Sequence, residues 1–320
     1  MNIYVDQLYF DVLEQLRNTL PKDNLSNNKA QNLKSIYNLF LSLNIHTDIT
    51  RDEVIENYKK GIGGKDYKTI KELILFAAVK SKIVTDVDLS EIKDYSAYYF
   101  IQDNHSCAFA AEYGIVKKDE NFDCTNFYEN CTVSDLKFKG NINELKEFLP
   151  PANAMIIVDN YIFDKPFEEK LINLIGFVKL YINQLSKIKF QLTLFTDGNN
   201  NPHYITKAFK ELSKIENCET QIISTNNKSE FRDRQIYTNY ATINFGHPFE
   251  NKETHFSQNL LGVEIDISKI KLNYENFILH LKKYKLMTET TPPMMGLLQS
   301  RWENEDVNKR FKNRLFDLIK

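Results

Sequence analysis

The chain is short of cysteine, of net charge and of long apolar runs, and each shortage removes a class of protein. Four cysteines in 320 residues, Cys107, Cys124, Cys131 and Cys218, are too few and too unevenly spaced for a disulfide framework. Cys124 and Cys131 have six residues between them, which matches no common zinc pair. Reduced, mostly buried thiols are expected, as in a cytoplasmic protein. A formal net charge of −2 and a pI near 6.3 exclude a chain that coats nucleic acid through bulk charge, although a local basic groove stays open. No stretch reaches about 18 uncharged apolar residues, so no membrane span is expected. The N-terminal "MNIYVDQLYFDVLEQLRNTL" alternates apolar and charged residues and lacks the basic start and apolar run of a signal peptide.

What remains is an ordinary soluble composition, 42% hydrophobic and 26% charged, in a chain long enough for two domains. Its Lys, Asn and Ile usage resembles that of a low-GC bacterial proteome. Residues 1–150 read as a mostly helical region with a few short strands, an adaptor with partner-binding stripes. Leu8, Val12, Leu13 and Leu16 share one stripe. "LKSIYNLFLSLNI", "TRDEVIENYKKGI" and "DYKTIKELILFAAVKSKIV" add three more helical patterns, Thr50 and Glu53 marking the start of one. Four such helices predict a small bundle or a winged-helix-like array. Short strands are expected at "SAYYFIQ" and "VSDLKFK", and a helix at "SCAFAAEYGIV". Pro150-Pro151 mark the clearest boundary.

Residues 151–320 alternate strand and helix. "AMIIVDNYIF", "KFQLTLFTD" and "CETQIIST" read as buried strands, "FEEKLINLIGFVKLYINQL" and "PHYITKAFKELSKI" as the helices between them, and "ENFILHLKKYKLM" as a late helix. This order predicts an α/β domain with a mixed, largely parallel sheet and right-handed crossovers. The segment from 231 to 246 is expected to turn antiparallel.

Candidate chemistry gathers at the strand ends. "KGIGGKDYKT" at 60–69 fails as a phosphate loop, because Lys59 stands where the first Gly belongs and Asp66 where a hydroxyl belongs. Asp159 and Tyr161 follow the first strand of the second region, and Thr196 and Asp197 end the second. Open α/β sheets bind ligands beyond such ends, while the same residue types also cap turns. Two carboxylates there admit an alternative enzyme reading: a nuclease or phosphodiesterase using Mg²⁺. In "EFRDRQIYTNYATINFGHPFE" an extended backbone sends Arg232 and Arg234 to one face, about 7 Å apart. That pair suits phosphate oxygens, and it suits equally an exposed strand edge whose charges discourage pairing.

The order of these strands, together with Arg232, Asp233 and Arg234 followed by Asn239, Ile243 and Gly246, resembles a phospholipase D-like domain. The likeness is to the noncatalytic His-Asp-Arg branch, as at the C-terminus of microtubule-interacting-and-transport proteins. "KNRLFDLI" at 312–319 is similar to the terminal helix of some members. Arg232 falls at the position of the nucleophilic histidine, and a guanidinium cannot attack phosphorus. His247, beyond the motif, is a turn histidine or a displaced nucleophile. The resemblance implies a protein that binds phosphate, nucleic acid or a protein partner without cleaving, needs no cofactor, and serves as a component of bacterial antiviral defence. A homo-oligomer paired through the Arg-Asp-Arg strand is a third possibility.

Overall fold

A computed structural model describes residues 1–19, 36, 40, 44–53, 55–56, 83–89, 94–100, 117–118, 131–139, 141–183, 185, 187–225, 234–247, 249–261, 267–289, 299–302 and 312–319. The chain divides into two compact units. The first is Met1–Ala111, Ile115–Glu129 and Leu261–Glu275; the second is Glu112–Gly114, Asn130–Leu260 and Asn276–Lys320.

The first unit departs from the expected helical array. Its strands β1 (Asn2–Val5), β2 (Asn44–Thr47), β3 (Ile83–Val84), β4 (Tyr98–Phe100) and β5 (Lys117–Lys118) form one sheet in the order β3-β2-β1-β4-β5. Every pairing in it is parallel. Helix α1 (Gln7–Thr19) follows β1, and the Asp6 carboxylate caps its first turn by accepting from the Tyr9 amide at 2.7 Å. The first expected helix therefore exists, with Leu8 exposed on it, but the apolar residues just ahead of it belong to a buried strand. Apolar runs of three or four residues carry no period that separates strand from helix. The same ambiguity hid β2 and β3 at the ends of two expected helices. The interior of those helices, the "SCAFAAEYGIV" pattern and the 60–69 loop lie outside the described residues. Aromatic packing holds this sheet, with Tyr4 stacked on Tyr99 at 5.0 Å and Phe40 edge-on to Phe100 at 5.1 Å.

The second unit is built on an eight-stranded sheet. Its strands are β6 (Val133–Phe138), β7 (Ala154–Val158), β8 (Phe190–Asp197), β9 (Cys218–Thr225), β10 (Gln235–Thr238), β11 (Ala241–Phe245), β12 (Thr254–Leu260) and β13 (Gln299–Trp302). Their order is β13-β9-β8-β7-β10-β11-β12-β6. Only β7, β8 and β9 run parallel; every other pairing is antiparallel. The sheet is thus mixed, and the expectation of a largely parallel one is corrected. Short connections join β10 to β11 and β11 to β12, and such connections join only antiparallel neighbours. Strand β6 precedes Pro150-Pro151, so this sheet begins upstream of the boundary the prolines suggest.

Helices α2 (Phe167–Ile182) and α3 (Pro202–Ser213) provide the β7-to-β8 and β8-to-β9 crossovers. Pro202 opens α3, and Asn201 caps it. Phe177 and Tyr181 of α2 cover one sheet face, packing against Phe245, Phe249 and Phe190. The opposite face, carrying Phe195 and Tyr237, meets Phe277, His280 and Tyr284 of α4 (Ile267–Glu289). A short 3-10 turn at Arg314–Leu318 stands where the terminal helix was expected.

Candidate anion-binding site

Strand β10 runs antiparallel to β7 with Gln235 opposite Val158. That register places Arg234, one residue before β10, beside Asp159, one residue after β7. Residues 75 positions apart in sequence become neighbours through one strand pairing. Strand β10 also pairs with β11 on its other side. From Gln235 to Thr238 it is therefore an interior strand of the sheet. Arg232 and Asp233 lie outside the described residues.

Arg234 is held on all sides. Its Nε lies 3.5 Å from Asp159 Oδ1, and its guanidinium sits over the Tyr161 ring, 4.8 Å from the centroid. Nη1 donates to the Gly246 carbonyl and, at 2.8 Å, to His247 Nδ1. Nη2 makes no hydrogen bond among the described residues. Gly246 is required at its place, because a Cβ there would stand 2.9 Å from the Thr254 hydroxyl, which itself accepts from the His247 amide. His247, anchored by its amide on Thr254, fastens Arg234 through its ring. Burial and the cations Arg234 and Lys252 lower its pKa against the pull of Glu250, which keeps Nδ1 available as an acceptor.

Asp159 is 3% exposed, and its Oδ1 also accepts from the Tyr161 amide at 2.7 Å. Burial raises its pKa to about 6, against the lowering effect of that amide, Arg234 and Lys170. Buried Lys170 donates to the Tyr161 carbonyl at 2.9 Å and approaches Glu250 at 3.3 Å. Burial pushes Glu250 up, but Lys252 and Lys170 outweigh it and hold the carboxyl at about 2.

Thr196 and Asp197, at the end of β8, form a network of their own. Asp197 Oδ1 closes its own turn by accepting from the amide and side chain of Asn199 at 3.0 and 2.9 Å. Thr196 accepts from Asn200, which also donates to the Asn160 carbonyl. The Asn160 Oδ1 in this turn is buried with no partner among the described residues. Asn239 lies just past the other end of β10, about 17 Å from Arg234 along the strand. Its Oδ1 accepts from the Asn153 and Ala154 amides at 3.0 and 2.9 Å, a structural task remote from the site. For a Mg²⁺ centre, Asp159 and Asp197 are each already engaged. Among the described residues no three His, Cys, Asp or Glu side chains gather around one point.

Arg234 and Tyr161 border a pocket of about 510 Å³ on the same sheet face as α4. Gln235, Asn244 and Ser257 line it from successive strands, and Ser134, Asp135 and His255 close the far side. These residues carried a sequence signal that sequence reasoning passed over. In "THFSQNL", His255 and Ser257 alternate with buried Phe256 and Gln258, the mark of one sheet face left open. The pocket is not a basic patch. Arg234, Lys170 and Lys252 are offset by Asp159, Glu250 and Asp135 around it.

No family model and no curated protein matches this sequence. Among solved structures, one that matches is TrmBL2, an archaeal chromatin protein described as showing a novel mode of DNA binding. It is 15% identical, with a TM-score of 0.25, over 48% of this chain and 53% of that one. The match spans about half the length of that chain, and at this score it assigns neither fold nor function.

Proposed function

We propose that the second unit binds the phosphate of an anionic ligand, nucleic acid among the candidates, without hydrolysing it. The observation that carries this reading is Arg234: a planar guanidinium fixed by four neighbours at the rim of an open polar pocket, with Nη2 free of partners among the described residues. Fixing the fork in advance lowers the entropy lost when a phosphate docks. Because the surrounding charges nearly balance, attraction at a distance is weak and binding depends on directed hydrogen bonds. Descent from a phospholipase D-like domain belongs to the same proposal and rests on the sequence motif, while a place beside a separate nuclease in bacterial antiviral defence rests on analogy of composition and two-part organisation.

The test is a binding titration of the full chain with a short single-stranded oligonucleotide, with inorganic phosphate as competitor. Arg234→Gln removes the charge-assisted donors and is expected to weaken binding at least about tenfold. A melting curve of the same variant separates lost contact from lost fold. Unchanged affinity in a folded variant would refute the reading, as would metal-independent cleavage of the oligonucleotide.

A further inference from the structure

We infer that the ligand is a ribosyl phosphate, with its phosphate on Arg234 and its sugar hydroxyls on the polar row beyond; this rests on the phosphate reading above. The row follows from register. Gln235 is opposite Asn244, and Asn244 is opposite Ser257, so one side chain from each of β10, β11 and β12 stands on the same face at adjacent strand spacings. Strand β6 adds Asp135 on the far side. From β10 to β6 the row extends about 14 Å, three strand spacings. A phosphate at Arg234 occupies one end and leaves the rest unfilled.

The chemistry of the row suits hydroxyls. The Asn244 carboxamide and the Ser134 and Ser257 hydroxyls make no hydrogen bond among the described residues, and each can both donate and accept. Gln235 Oε1 accepts from the Tyr237 hydroxyl, which leaves its amide nitrogen as a donor. His255 Nδ1 lies 2.6 Å from Asp135 Oδ1, and this contact orients the carboxylate as a hydrogen-bond acceptor. Sugar hydroxyls need such a mixture, whereas a second phosphate on the row would meet the Asp135 charge. The β12–β6 pairing takes two steps on β12, from Phe256 to Gln258, against three on β6, from Leu136 to Val133, so the extra residue lies on β6 at Ser134 and Asp135, both of which line the pocket. The exposed rings among the lining residues are Tyr161, which already carries Arg234, and His255, which is held by Asp135, so stacking of bases has little surface to use. Recognition of ribose is the role left for the row, and the 2′-hydroxyl is the group by which a protein distinguishes RNA from DNA.

The experiment compares ribose 5-phosphate with 2-deoxyribose 5-phosphate, and an RNA hexamer with the DNA hexamer of the same sequence, on the full chain, with inorganic phosphate as reference. The ribose form is expected to bind about tenfold more tightly in each pair. Asn244→Ala and Asp135→Asn, both at exposed positions, should reduce that ratio toward one while leaving inorganic phosphate binding intact. Tighter binding of the RNA than of the free sugar phosphate would name a polymer as the source, and the reverse order a small metabolite; both support the inference. Equal affinity for ribose and deoxyribose forms, with Arg234→Gln still weakening both, would overturn the inference and spare the phosphate reading. No binding of any probe would sink both.

Discussion

The two ends of strand β10 are built from similar residues and serve opposite purposes. At its C-terminal end Asn239 accepts from two backbone amides. Nearby, Asn313 donates to the Met155 and Gln191 carbonyls and the Thr193 hydroxyl, while Arg314 reaches the Asn153 and Lys189 carbonyls. Asn239 and Asn313 are fully buried, and their oxygens meet the backbone. At the N-terminal end Arg234 is held as firmly, but its neighbours form the rim of a pocket rather than closing it. A polar group whose bonds are consumed by backbone stabilises the fold; one that is fixed yet open to solvent is prepared for a ligand. Residue type alone does not separate the two.

The largest expected effect breaks the closed end. Asn239→Ala strands two buried amides and should cost about 2–4 kcal/mol of unfolding free energy. Urea denaturation measures this, and ligand affinity of the protein that remains folded should hold. A change below about 0.5 kcal/mol would mean water or another group satisfies those amides.

Next in size is the pH response of the open end. Asp159 has a folded pKa of about 6, above the ordinary carboxyl value, so over the window from about 4 to 6 the folded chain holds a proton that the unfolded chain has released. Stability therefore falls as pH rises through that window, by about 2–3 kcal/mol, and the slope from this group vanishes above it. Asp159→Asn should flatten that decline in denaturation curves taken at a series of pH values. Protonation also releases Arg234 from its counter-ion, so affinity for a phosphodiester oligonucleotide should rise as pH falls through about 6. A curve for the asparagine variant parallel to that of the wild type would rule out Asp159 as the source.

The smallest effect concerns the ring beneath the arginine. Tyr161→Ala removes a cation–π contact on a half-exposed ring, and such contacts are worth about 0.5–1 kcal/mol. Oligonucleotide affinity should drop about two- to fivefold, with the melting temperature little changed. A loss as large as that of Arg234→Gln would make Tyr161 a ligand contact in its own right.

The strand-helix alternation of the second unit was legible because short segments rich in apolar and β-branched residues, such as "AMIIV" and "FQLTLFTD", read as buried strands, and because Asn201 and Pro202 announce a helix. Asp159, Tyr161 and Arg234 were also nameable as candidates, since carboxylates, rings and arginines at strand ends suit ligands, although the same residue types serve turns and strand edges. The strands of the first unit were not legible. Two- to four-residue strands such as Ile83–Val84 are too short to show a period, and their partners are distant in sequence.

By itself the sequence determined which residues would be buried and which local elements the chain prefers, because both follow from side-chain chemistry and spacing. Tertiary structure alone decided that Arg234 meets Asp159, that Asn239 does not join them, and that Gln235, Asn244 and Ser257 line one face. Each of those outcomes depends on strand order and register. Shifting one strand by a single residue would send every one of its side chains to the other face without altering a letter of the sequence.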